Sequence, residues 1–124
     1  MAEELTLKTN EITRKKSDYL EGTYAVHGVE EVMDGVDVVF VVDPIDEEIE
    51  KFQQVLVKGV GMTVVAIADR PTPLTTIRVP QAGEMTPFLY LCAGWNILVE
   101  IGLALNINLD KPQRARKIGN EFIA

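Results

Sequence analysis

Two carboxylates and a lysine fall at Glu4, Lys8 and Glu11, at spacings of four and three. On a helix all three project from one face and can pair with one another. The one histidine, His27, follows sixteen residues after Glu11, and Lys117 lies near the C-terminus. A carboxylate close to apolar residues can act as a general base. A histidine shuttles protons near neutral pH. A lysine of lowered pKa attacks a carbonyl and forms a Schiff base. Together, Glu11, His27 and Lys117 are the equipment for aldose–ketose isomerisation. The same charges, read by spacing alone, fit a solvated helix face with ordinary salt bridges.

Other chemistries find little support. Gly59-Val-Gly61 reads as a helix exit, and neither a P-loop nor a G-x-G-x-x-G is present. One histidine and one distant cysteine, Cys92, do not make a structural zinc site, and no metal or cofactor is expected. Ser17 is the sole serine and sits among charges, which argues against a serine triad. Asp46-Glu47-Glu48 reads as first-turn carboxylates favoured by a helix dipole. Tyr90 and Trp95 read as packing residues.

These side chains need elements to hold them. Glu3 to Leu20 reads as a helix with Leu5, Ile12 and Tyr19 in its apolar stripe, turned at Gly22. Glu21 to Gly35 reads as irregular. Asp37–Val42 and Thr63–Ala68 are β-branched runs of the kind buried on both faces, and Thr75–Val79 is a shorter third strand. Between the first two, Ile45, Ile49, Phe52 and Leu56 mark an amphipathic helix. Pro87 opens a long apolar helix over Phe88–Leu105, to be buried or to lie at a subunit interface. Strand, helix, strand, strand, helix with short connections implies an α/β fold, a small parallel sheet with helices on its faces.

The totals bound the class. The 124 residues suit one domain. A net charge of -7 argues against nucleic-acid binding. A single cysteine excludes an intrachain disulfide and fits a reducing compartment, so a cytoplasmic location is expected. No apolar run follows Met1, so no signal peptide is expected. Asn96 and Glu100 interrupt the long apolar stretch, which favours a buried helix over a membrane span.

Taken in order, these motifs resemble the sugar-isomerase (SIS) family, in particular the C-terminal half of the isomerase domain of glutamine–fructose-6-phosphate aminotransferases. That family shows E-x-x-x-K-x-x-E on a helix and a His-Gly sixteen residues later, matched by Glu4, Lys8, Glu11 and His27-Gly28. A strand, a helix and a strand ending in Ala-Asp follow, matched by Val38–Asp43, Asp46–Lys58 and Val64–Asp69. A long apolar helix and D-x-P-R-x-x-x-K close the pattern, matched by Asp110 to Lys117 with Gln113 in place of the Arg. The resemblance implies a three-layer SIS-type (flavodoxin-like) fold, with residues 1–124 as one SIS domain. By this likeness, Glu11 moves a proton between C1 and C2, and Lys117 forms an imine with a keto sugar. His27 assists ring opening across a dimer, and Lys8, with Glu4, lies at the substrate.

The implied activity is conversion of a keto-sugar phosphate to an amino-aldose phosphate. The alternatives are a deglycase or deaminase of sugar-amine phosphates, or a non-catalytic phosphosugar-binding or dimerisation module. Tyr24 and Val29 depart from the family's Gly-Glu-x-x-His-Gly-Pro. The family's first strand and its Ser/Thr-rich phosphate loop have no counterpart in this sequence. The expected partners are therefore a phosphorylated sugar and either a second copy or a partner SIS half. The chain by itself is not expected to turn over fructose 6-phosphate.

Overall fold

The β-branched runs pair side by side. β1 (Val38–Val42), β2 (Thr63–Ala68) and β3 (Thr75–Arg78) form one parallel sheet in the order β1-β2-β3. Val38 lies opposite Thr63 and Val42 opposite Ile67, while Thr75 lies opposite Val65. The computed structural model describes residues 1–114. All three strands fall within one residue of their expected positions, and both pairings are parallel as expected.

Successive strand residues point to opposite faces, and each face has its own core. Val64 and Ala66 pack with Ile49, Phe52 and Leu56 on one side. Ile67 packs with Leu5, Val79, Tyr90 and Leu98 on the other. α1 (Ala2–Lys8) and α3 (Thr86–Ala104) therefore cover one face, and α2 (Ile49–Phe52) with its π-helical extension Gln53–Val60 covers the second. The class is α/β, with a three-stranded parallel sheet between helices.

The double burial expected of β1 holds for β2 alone. Val39 and Val41 pack towards α2, but Val38 is 52% exposed and Phe40 36%. The cause is position. β1 is an edge strand, and α3 packs on β2.

The first helix is shorter than its periodicity implied. α1 passes into a π-helical turn at Thr9–Thr13, and the chain leaves it at Arg14 in the left-handed region, φ 55°. Local side chains compete for the backbone here. Thr9 and Thr13 hydroxyls donate to the carbonyls of Leu5 and Thr9, each at 2.7 Å. Asn10 Oδ1 accepts from the Ser17 backbone N–H at 3.1 Å, and Ser17 Oγ donates to the Thr6 carbonyl at 2.9 Å. Residues 14–17 are thereby folded back along the helix instead of extending it. Ser17 is not helical, and Tyr19 leaves the apolar stripe and is exposed.

The second helix starts later than expected. Asp46-Glu47-Glu48 form a turn before it, so they are not its first helical turn, and Ile45 is exposed. Asp46 is instead drawn to Arg70, as described below.

α3 begins two residues before the expected Phe88, with Pro87 in its first turn. Its buried positions are Thr86, Tyr90, Gly94, Leu98 and Gly102, one every fourth residue. Gly94 and Gly102 let the first helix come close. A Cβ at Gly94 would lie 2.5 Å from both Leu5 Cδ atoms, and one at Gly102 would lie 3.4 Å from Ile12 Cγ2. The contacts Leu5–Gly94 and Ile12–Gly102 mean that the first helix runs alongside α3 in the same direction. The opposite side of α3 stays open, with Phe88, Trp95, Val99 and Leu103 exposed. Trp95 therefore does not serve the packing role read for it, whereas Tyr90 does. By length and composition, the helical stretch Gly83–Ala104 could cross a membrane. Within the fold one face of this stretch, through Tyr90, Gly94, Leu98 and Gly102, is buried.

Candidate functional site

Helix geometry brings the Glu4, Lys8 and Glu11 charges together as their spacing implied. Lys8 Nζ lies 2.6 Å from Glu11 Oε2 and 3.9 Å from Glu4 Oε1. The hydrogen bond to Glu11, with the charges of Glu11 and Glu4, raises the Lys8 pKa against a smaller opposing effect of burial. Lys8 is thus a fixed ammonium beside Glu11. It is not a candidate nucleophile, since a nucleophilic lysine needs the opposite shift.

Arg14 lies one turn beyond and was not singled out in the sequence. Its Nη2 donates to the carbonyls of Asn108, at 3.1 Å, and Lys111, at 3.0 Å. The chain after α3 is therefore tied to the end of the first helix. Lys117 itself lies outside the described residues. Lys111, six residues before it, is held within a few residues of Glu11.

His27 belongs to a different part of the fold. It follows a 3₁₀ turn, Tyr24–Val26, whose Ala25 and Val26 are buried in the cluster on the α2 side. Glu11 is carried by the helix on the other face. Gly28, next to His27 and at φ 102°, donates its N–H to Glu30 Oε2 at 2.6 Å and so closes the loop. Tyr24 is 62% exposed. Among the described residues no hydrogen bond or ion pair joins His27 to Glu11.

A second group of charges gathers at the C-terminal ends of the strands, where ligands of open α/β sheets bind. Asp43 follows β1, and Asp69 and Arg70 follow β2. Arg70 Nε donates to Asp46 at 2.9 Å, and its Nη1 lies 3.1 Å from Asp43 and 3.3 Å from Asp69. These hydrogen bonds, that of Asp43 first, push the guanidinium pKa further up. Asp43 takes a left-handed conformation, φ 52°, while its N–H extends the ladder to the Ile67 carbonyl. Asp43, Asp69, Arg70, Gln81, Thr86 and Tyr90 are among the residues lining an open cleft of about 360 Å³. Burial above all, then the Asp43 and Asp69 charges, raise the Tyr90 pKa, so its hydroxyl remains a donor. Three carboxylates against one guanidinium leave the cleft negative, which opposes a phosphate there. The available signal was that both long strands end in aspartate, Val42-Asp43 and Ala68-Asp69.

The two regions are far apart. The cleft sits at the start of α3, and Ile12 packs at Gly102, sixteen residues further along. At 1.5 Å per residue this is about 24 Å. Among the described residues no cluster of three or more His, Cys, Asp or Glu is arranged to hold a metal ion. No protein-family model matches the chain, and no curated protein matches it.

Proposed function

We propose that the chain is an SIS-type phosphosugar-binding half of a sugar-phosphate isomerase or aminotransferase, acting in the cytoplasm on a keto-sugar phosphate. The observation that carries this reading is the end of the first helix. There Glu11 lies against the fixed Lys8 ammonium, and Arg14 ties down the segment that leads to Lys117. A general base and an amine nucleophile must reach one carbon framework for isomerisation.

In the proposed reaction, the Lys117 amine condenses with the C2 carbonyl of the open-chain keto sugar and releases water. Ammonia, supplied from outside the chain, then displaces the Lys117 amine and leaves a C2 ketimine, and the Glu11 carboxylate takes a proton from C1 of that ketimine and returns it to C2, which gives the amino-aldose phosphate and a free lysine. Lys8 supplies a positive charge beside the carboxylate and the developing enamine. His27, held on the opposite face of the sheet, assists ring opening in the site of a neighbouring copy. The phosphate is gripped by a partner SIS half, so the chain by itself gives no turnover of fructose 6-phosphate.

The test is to trap the imine. The chain is incubated with millimolar fructose 6-phosphate and cyanoborohydride, and the adducts are located by peptide mass spectrometry. Lys117 is expected to label several-fold faster than Lys15, Lys16, Lys51 and Lys58, with Lys8 slowest because its amine is held protonated. Equal labelling of Lys117 and the surface lysines would overturn the Schiff-base role and favour a binding-only module.

The assembly follows from two open surfaces. Among the described residues β1 has no strand on its outer edge, and unpaired edges invite association. Phe88, Trp95, Val99 and Leu103 form an uncharged exposed row on α3. The chain is expected to form a dimer or larger assembly with copies of itself or with a partner SIS half. In light scattering the purified chain should exceed the monomer mass, and Trp95→Glu should shift it towards monomer. A monodisperse monomer at high concentration would count against self-assembly.

A further inference from the structure

We propose that two oppositely charged patches of this chain dock on one another between two copies, a basic corner at the end of the first helix against an acidic loop before β1. The docking stands on charge and surface; its consequence for His27 alone rests on the isomerase reading above.

Charge is distributed unevenly along the chain. From Ser17 to Glu50 there are eleven Asp or Glu and no Lys or Arg. Arg14, Lys15 and Lys16 stand just before that stretch and are exposed. The fold adds to them. Arg14 Nη2 donates to the carbonyls of Asn108 and Lys111, which brings exposed Lys111, with Arg114 three residues on, to the same corner. Asp18 and Asp110 offset two of these five charges, and Glu11 is taken up by Lys8. Among the described residues none of the five cations enters an ion pair. The chain leaves α3 here with Leu103 and Leu105 exposed, so the corner has apolar surface beside its charge.

The loop is the counterpart. Glu30, Glu31, Asp34 and Asp37 likewise enter no ion pair among the described residues. Between them lie the two most exposed large apolar side chains described, Val32 at 84% and Val36 at 86%. The loop is held in shape from within, by Glu30 on the Gly28 N–H and by Asp37 Oδ2 on the Asp34 N–H at 2.7 Å. Its ordering is thus already met before docking.

Within one chain the patches lie on opposite faces of the sheet. The corner belongs to the face covered by α1 and α3. The loop follows Ala25 and Val26 in the α2-side core, and a Cβ at Gly35 would lie 3.6 Å from the Gly61 carbonyl oxygen, just past the π-helical extension. A second copy related by a twofold axis sets each patch on its opposite, so the same contact forms twice. The charges steer the encounter and fix its register, and the apolar side chains supply buried area. The occupant is a second copy because the chain itself carries the complement of each patch. Docking carries His27, which precedes the loop, to the helix end that bears Glu11 in the other copy.

The first test needs no sugar. Isotope-labelled and unlabelled chains are mixed, and a carbodiimide joins amines to carboxylates in direct contact. Peptides joining Lys15, Lys16 or Lys111 to Glu30, Glu31, Asp34 or Asp37 should pair a labelled with an unlabelled partner, and about 0.5 M salt should suppress them. Cross-links within single chains only, or none, would overturn the docking, as would carboxylates elsewhere taking up the corner lysines. The second test is charge reversal. Lys15→Glu with Lys16→Glu should raise the dimer dissociation constant about tenfold at low salt. Lys51→Glu with Arg78→Glu changes net charge equally, away from both patches, and should raise it no more than about twofold. Equal weakening by the two pairs would mean that net charge governs association, and the docking would fall. Mixed-isotope cross-links in a chain that traps no keto sugar would uphold the docking and remove the isomerase reading alone.

Discussion

Glu11→Gln is expected to slow proton transfer between C1 and C2 by about 10²–10⁴-fold, the usual contribution of a positioned general base. The amide is nearly isosteric with the carboxylate and can still accept a hydrogen bond from Lys8, which lies 2.6 Å from Glu11 in the native chain. It cannot take a proton from carbon. The substitution therefore separates the chemistry from the placement of the helix. The assay is wash-in of solvent deuterium at C1 of fructose 6-phosphate, with the chain assembled with a partner SIS half that grips the phosphate. Sugar binding and the Lys117 adduct should survive, since neither needs the base. Unimpaired wash-in by Glu11→Gln would remove Glu11 from the mechanism. Loss of the adduct along with the exchange would mean that Glu11 shapes the site and does not act as the base.

Gly94→Ala is expected to destabilise the chain by about 1–3 kcal/mol, by forcing the first helix away from α3. Two effects oppose one another. Alanine in a helix interior gains up to about 1 kcal/mol over glycine. Against that, the new methyl would lie 2.5 Å from both Leu5 Cδ atoms and 3.0 Å from its Cγ. Leu5 cannot swing clear, because it is buried in the cluster with Ile67, Val79, Tyr90 and Leu98. The clash wins, and the helix bearing Glu4, Lys8 and Glu11 must shift. Leu5→Ala alone leaves a cavity and costs about 2–5 kcal/mol. The pair Leu5→Ala and Gly94→Ala should be less destabilised than the sum of the two, because the second methyl enters the space left by the first. Urea unfolding of the four proteins measures this coupling. Additive effects would mean that Leu5 and Gly94 do not touch.

The sequence alone determined the elements. β-branched runs at 38–42 and 63–68 had no reading but strands, and both form as such. The apolar run after Pro87 gave one long helix, and the four-and-three spacing placed Glu4, Lys8 and Glu11 on one face. These features are local. Periodicity and β-branching act between residues a few positions apart, so a short window of sequence contains their cause.

Tertiary structure decided the rest. The apolar period continued to Tyr19, yet the helix ends at Arg14, because Asn10 and Ser17 fold the chain back on itself. β1 looks as apolar as β2 but is open on one side, since burial depends on which strand lies at the edge and not on composition. α3 is apolar nearly all round, and only the glycines facing Leu5 and Leu109 distinguish its packed side from its open one. Arg70 collects Asp43 and Asp46 from 27 and 24 residues away, and Arg14 reaches Asn108 from 94. No periodicity records such pairings. They exist because the sheet brings its strand ends together, and because the first helix and α3 run side by side until their C-terminal ends meet.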